Sequence, residues 1–235
     1  MSDLMHRAIE KVTSVLPPRI GARIDQLRPD IAKGFGPFDG QDHRQAILAS
    51  IKRSYPFDLV IETGTFRGTT TQLLRTWTTA PIITIEVSGR YYEYSRRRSS
   101  GIAGIELIHG DSPTEIRRVA ARPTHETTAR VFAYLDAHWG LSLPTRWEIL
   151  ELLSSWESLC IVVDDFKVPG DPGYAYDDDG PGMALEVALL EGLPLARVSM
   201  FFRESDRRRK RGTGDAASCW LAGKTLWITC PRWTS

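Results

Sequence analysis

The stretch VIETGTFRGTT (60–70) decides how the chain is read. An apolar run ends in an acid, Glu62. Two glycines, Gly64 and Gly68, follow four residues apart, and the helix-like segment TTTQLLRTW begins at once. That order describes a strand, a tight turn and a helix. Glycine permits such a turn and lets other groups approach the backbone closely. The helix that follows presents free N–H groups and the positive end of its dipole, where a carboxylate or phosphate can sit. The spacing is not that of a dinucleotide-binding glycine loop. An acid at the strand end is a poor neighbour for a pyrophosphate and a good one for a ligand bearing an ammonium group. A plain strand–turn–helix junction produces the same short pattern.

Outward from this turn the texture repeats. The apolar, β-branched runs are FDLVIET (57–63), PIITIEV (81–87), GIELIHG (104–110), ARVFAYLD (129–136) and LCIVVDDF (159–166). Helix-like segments separate them: TTTQLLRTW, GRYYEYSRRR, SPTEIRRVAA and LPTRWEILELLSSW. Strands alternating with helices in this way predict βαβ units and a parallel sheet, and near-continuous apolar runs suit strands covered on both faces. Residues 1–54 read as an N-terminal helical segment, broken at Pro17-Pro18 and at GFGPFDG (34–40), with Asp39 or Asp42 as a helix cap. Residues 55–235 form the main domain. Beyond Asp165 the chain predicts a loop at 169–182, a helix at 183–192, and two strand-like pieces at 196–204 and 218–230. A charged loop at 205–215 separates those two pieces.

Composition excludes several classes. The chain has 235 residues, 30 Lys+Arg against 29 Asp+Glu, and 42% hydrophobic residues. That is too apolar and too charge-balanced for wholesale disorder. A net charge of +1 gives no global field for nucleic acid. No apolar run approaches the ~18 residues a membrane span needs. The N-terminus lacks a secretory layout, and Cys160, Cys219 and Cys230 show no zinc spacing, so a cytoplasmic location is expected.

Three acids close three successive strands. Glu62 ends the first, Glu86 the second, and Asp111 follows the third in HGDS. An acid at the end of the second strand is where nucleoside-binding folds hold ribose hydroxyls. Asp111 stands where it can cap a helix and also reach an adenine amine. Asp136 in YLDAHWG and Asp164-Asp165 in VVDDF end the next two strands, across the switch point from the first. If they converge, three carboxylates repel unless a cation or a proton intervenes. An all-oxygen set favours Mg²⁺, Ca²⁺ or Mn²⁺. His138 stands beside them as ligand, second partner or base. Adjacent acids also simply begin polar loops.

On these residues the sequence resembles the class I S-adenosylmethionine-dependent methyltransferases, over about 57–166. ETGTFRG is similar to their first motif, which implies that Gly64 and Gly68 line the methionyl end of S-adenosylmethionine. It also implies that Glu86 binds ribose and Asp111 lies at the adenine. The family implies a doubly wound α/β fold: a mostly parallel, seven-stranded Rossmann-like sheet with an antiparallel C-terminal strand. The LDAHW and VVDDF pair resembles the metal-dependent O-methyltransferases of the macrocin type and the cephalosporin-hydroxylase-like group. That resemblance implies Mg²⁺ held by Asp136, Asp164 and Asp165. The sequence departs from the macrocin-type pattern at the Ala-His-Trp after Asp136. The resulting expectation is methyl transfer to a small-molecule hydroxyl, with Asp136 or His138 as base. The alternatives are a metal-independent methyltransferase and a non-catalytic nucleotide- or cofactor-binding protein. The N-terminal helices are left with two roles, covering the cofactor or forming a homodimer contact.

Overall fold

The computed structural model describes residues 3–28, 36–40, 45, 48–49, 51–53, 55–124, 126–138, 143–167, 169, 184–195, 199–202 and 226–229. The expected loop at 169–182 apart from Pro169, the expected loop at 205–215, the cap Asp42, and Cys219 and Cys230 lie outside them.

Five parallel strands make the centre of the molecule: β1 (Leu59–Thr63), β2 (Ile82–Glu86), β3 (Ile105–His109), β4 (Arg130–Leu135) and β5 (Ser158–Val163). Their spatial order is 3-2-1-4-5. Order reverses between β1 and β4, and this is where open α/β sheets bind ligands. Each connection carries the helix that the sequence predicts: α3 (Thr69–Trp77), α4 (Gly89–Arg98), α5 (Ser112–Ala120) and α6 (Thr145–Ser155). Two four-residue strands, β6 (Ser199–Phe202) and β7 (Leu226–Thr229), pair antiparallel to each other, and β7 pairs antiparallel to β5.

Side chains of successive strand residues leave on opposite faces, so a strand buried twice must be apolar throughout. Ile61, Ile85, Ala133, Leu135, Ile161 and Val163 face one way, onto Ile116 and Val119 of α5 and Ile149 and Leu152 of α6. Val60, Ile82, Phe132, Tyr134 and Val162 face the other way, onto Leu74 of α3 and onto Phe38, Leu48 and Ile51. Cys160 belongs to that second layer and is 1% exposed. Burial pushes its thiol up to about 12. Opposite the site, at the amino ends of the strands, Arg130 clasps the Asp58 carboxylate through Nε and Nη2.

Upstream, α1 (Asp3–Val15) and α2 (Pro18–Gln26) meet at Pro17-Pro18, and α2 packs along α4. Among the described residues no helix is long and apolar enough to cross a membrane.

One expected element differs. The segment 183–192 predicts a helix, but its described residues, 184–192, form only a four-residue 3-10 turn, Val187–Leu190. The Lys167 amide donates to the Leu185 carbonyl at 2.7 Å, which draws the start of the segment into an extended bridge. Leu185 and Leu190 both insert into the core, and Gly192 and Pro194 halt any further helix.

Candidate functional site

The turn between β1 and α3 is left-handed at Gly64 (φ +75°), Phe66 (φ +49°) and Gly68 (φ +71°). A Cβ on Gly64 would lie 2.0 Å from the carbonyl oxygen of Asp136 and 3.1 Å from Cα of Ala137. The first glycine is therefore imposed by the tip of β4, at the switch point itself. The Gly64 amide donates to Ile85 O at 3.0 Å and the Gly68 amide to Thr65 O at 2.8 Å. The Ser95 hydroxyl donates to the Phe66 carbonyl at 2.5 Å. α3 opens at Gly68 with no side-chain cap, so no side chain competes for its first N–H groups.

Glu62 does not face open solvent. It is 1% exposed and accepts from the hydroxyls of Thr71 on α3 and, at 2.6 Å, Thr84 on β2. Thr84 stands directly across the strand pair from it. Burial raises its carboxyl from 4.5 to about 7, against the lowering effect of the two hydroxyls. The acid of the glycine motif thus sits beneath the turn and braces it.

Glu86 joins two turns. Its Oε2 accepts from the Phe66 amide at 2.7 Å and its Oε1 from the Ser88 amide at 2.8 Å. Burial moves this carboxyl upward, and the two amides oppose that shift. Beside it Val87 leaves 68% of its surface exposed. An apolar side chain held open at the tip of β2 suits a flat ring. His109 shares a nitrogen contact of 3.1 Å with the Val87 carbonyl and stacks on Tyr92. Asp111 is exposed and caps α5, accepting from the Thr114 amide at 3.3 Å and its hydroxyl at 2.7 Å.

Across the switch point, Asp136 is partly exposed, and its Oδ1 lies 3.9 Å from Nε2 of the buried His138. Asp164 is buried, with both oxygens engaged: Oδ2 accepts from the Tyr134 hydroxyl at 2.5 Å and Oδ1 from the Asp165 amide at 2.9 Å. Asp165 takes a left-handed backbone, φ +47°. Among the described residues no group of three or more His, Cys, Asp or Glu stands together as metal ligands. The trio expected from Asp136, Asp164 and Asp165 is not among such groups in the described residues. The Asp164 carboxylate turns to Tyr134 and to its own turn. The tryptophan of the Ala-His-Trp that follows Asp136, Trp139, lies outside the described residues.

Two participants escaped the sequence reading. Glu148 on α6 is fully buried and accepts from the Ser112 hydroxyl; Thr63, the last residue of β1, lies beside it. Burial raises its carboxyl to about 7, and the nearby Asp111 charge adds to that shift. Glu62 and Glu148 therefore flank the end of β1 on opposite sheet faces. Arg67 of the glycine turn is the other, tied to Glu10 of α1 at 3.2 Å. The signal for Glu148 was an acid among the apolar positions of an inward helix face; nothing in the pattern marked Arg67.

The sequence matches no family model and no curated protein sequence. Solved structures do match. The O-methyltransferase TomG from Streptomyces achromogenes, involved in tomaymycin synthesis and solved with S-adenosylmethionine, is 15% identical; the match covers 98% of this chain and 99% of that one, with a TM-score of 0.53. The O-methyltransferase from Bacillus cereus, solved with S-adenosylhomocysteine, is 13% identical over 98% and 92%, with a TM-score of 0.56. The described residues thus share the Rossmann-like α/β fold of these two O-methyltransferase structures. Neither of these two structures singles out the macrocin or cephalosporin-hydroxylase group.

Proposed function

We propose that this protein is an S-adenosylmethionine-dependent methyltransferase that methylates a hydroxyl of a small molecule. The observation that carries the proposal is the double clamp on Glu86. One carboxylate fastens the glycine turn to the β2–α4 turn, at the edge of the β1/β4 switch point. Class I folds bind their nucleoside end at this place. Gly64, the uncapped start of α3, exposed Val87 and Asp111 surround it with a close-approach backbone, free N–H groups, an apolar face and a carboxylate. The structural neighbours that hold S-adenosylmethionine and S-adenosylhomocysteine support the same reading. So do the short strands β6 and β7, which pair antiparallel beyond β5.

Bound S-adenosylmethionine supplies a methyl group already activated by its sulfonium. The chain has to orient it and remove a proton. The rigid tip of β1 fixes direction, which for such a transfer is largely a proximity effect. Asp136 or His138, 3.9 Å apart just beyond β4, is the proposed acceptor of the hydroxyl proton as the acceptor oxygen bonds to the methyl carbon. The C–S electron pair stays on sulfur. Proton removal by these residues calls for no Mg²⁺, and the aspartates are not gathered as a metal-holding group among the described residues. Turnover is expected to be equal in Mg²⁺ and in EDTA. A strict Mg²⁺ requirement would restore the three-aspartate reading.

The test is calorimetry with S-adenosylhomocysteine and, separately, NAD. Binding of the first without the second is expected. NAD binding with no response to S-adenosylhomocysteine would make the protein a nucleotide-binding module of another kind.

A further inference from the structure

The N-terminal helices meet the glycine turn through charged side chains that the proposed reaction does not use. Glu10, on α1, accepts from Nη2 of Arg67 at 3.2 Å and Nη1 of Arg90 at 2.9 Å, and the Tyr91 hydroxyl lies 3.5 Å away. Arg67 belongs to the turn between β1 and α3, and Arg90 to the first turn of α4. The other side of Arg90 grips Asp25 of α2, with Nε and Nη2 each 2.7 Å from a carboxylate oxygen. Asp25, Arg67 and Arg90 are all buried. The Arg67 guanidinium also lies over the Phe66 ring, 4.5 Å from its centroid, and Phe66 is the residue whose amide binds Glu86.

Buried guanidinium groups lose hydration and need counter-charges, and removing one partner leaves the other uncompensated. Here the counter-charge of a turn residue comes from a helix 57 positions upstream. The same glutamate holds the base of α4, so one carboxylate spans both turns that Glu86 joins from below. Between α1 and the β2–α4 turn lies a cavity of about 470 Å³, lined by Glu10, Lys11, Ser14, Ser88 and Tyr91 among others. The helices therefore wall the tip of β2 from outside.

We infer that Glu10 is a positioning residue for the cofactor: it fastens α1 across Arg67 and Arg90 and so holds the glycine turn in its ligand-binding shape. This rests on the proposed function and assigns the N-terminal helices to the cofactor site. Glu10 touches no reacting atom; it acts through Arg67.

The experiment uses the full chain and S-adenosylhomocysteine as probe. Calorimetry compares wild type with Glu10→Gln, Glu10→Asp, Arg67→Gln and the double variant Glu10→Gln/Arg67→Gln. Hydrogen exchange follows residues 9–15 with and without the probe. Glu10→Gln is expected to weaken binding about tenfold, the size of one lost charge-assisted contact, and Glu10→Asp to recover most of it. The double variant should bind no worse than the weaker single. Ligand-induced protection of α1 should appear in wild type and vanish in Glu10→Gln. If Glu10→Gln fails to fold, the Glu10→Asp and Arg67→Gln affinities make the same comparison. Unchanged affinity overturns the inference and leaves the methyltransferase reading standing. So does a loss matched only by a lower melting temperature, with α1 protected in both proteins. A wild type that ignores S-adenosylhomocysteine sinks both.

Discussion

A carboxylic acid buried among hydroxyls behaves unlike one on the surface, and two of them flank the end of β1. Glu62 and Glu148 both have carboxyls raised from 4.5 to about 7 by burial. The folded state then holds its protons more tightly than the unfolded chain does. Their contribution to stability is complete below about 4.5, falls as pH climbs toward about 7, and stays flat at its reduced level above that. Glu148→Gln should remove its share of this slope. Urea unfolding at pH 5 and pH 8 is expected to show the variant losing less stability than wild type between the two. Gly64→Ala is a harsher change. It places a Cβ 2.0 Å from a carbonyl oxygen on a left-handed backbone. We expect a loss of at least about 2 kcal/mol in denaturant unfolding, since neither backbone can move without disturbing the sheet.

The residue scale also separates what a sequence can say from what it cannot. Glycines at 64 and 68 were legible because only a few backbone conformations need them. Glu86 was legible as a strand-end acid, but its partners were not, because an amide donor leaves no trace in residue identity. For Glu62 position was legible and direction was not. The threonines that enclose it come from α3 and β2, and only the three-dimensional register brings them together. The aspartates at β4 and β5 were read as a converging set, yet Tyr134 competes for Asp164, and no spacing rule shows that competition.

Among elements, α5 and α6 set the stability of the site's floor. Ile116 and Val119 of one and Ile149 and Leu152 of the other close over β1, β4 and β5. Leu152→Ala should cost about 2–5 kcal/mol by urea unfolding, because its surroundings cannot collapse onto the lost volume. One carboxylate, Glu86, ties the β2–α4 turn to the glycine turn. Glu86→Ala leaves the Phe66 and Ser88 amides without it. Calorimetry should then show S-adenosylhomocysteine affinity reduced by about tenfold or more, with a smaller effect on melting. Five strands and four helices were legible because their apolar periodicity and flanking turn residues agree. The segment before Leu190 was not: its composition favours a helix, while core insertion at Leu185 pulls the backbone straight.

At the scale of the whole molecule, the sheet converts a linear order into a site. Strand ends more than twenty residues apart in sequence arrive side by side, and the acids at those ends share one edge. If the proposal holds, ligand binding should report on the entire fold, since a ligand that binds only the native state raises its melting temperature. S-adenosylhomocysteine is expected to raise the melting temperature, and Asp164→Asn should leave that shift within a few-fold in apparent affinity. A collapse of the shift in Asp164→Asn would tie that aspartate to cofactor binding.

Cys160 offers a use of its own. Its sulfur is walled in on β5 and reluctant to ionise, so an alkylating reagent should ignore it for as long as the sheet stays closed. In a chain carrying Cys219→Ser and Cys230→Ser, the rate of its labelling becomes a clock for opening of the central strands. Slower labelling when a small molecule is added would mark that molecule as one the native protein recognises, without any knowledge of the reaction.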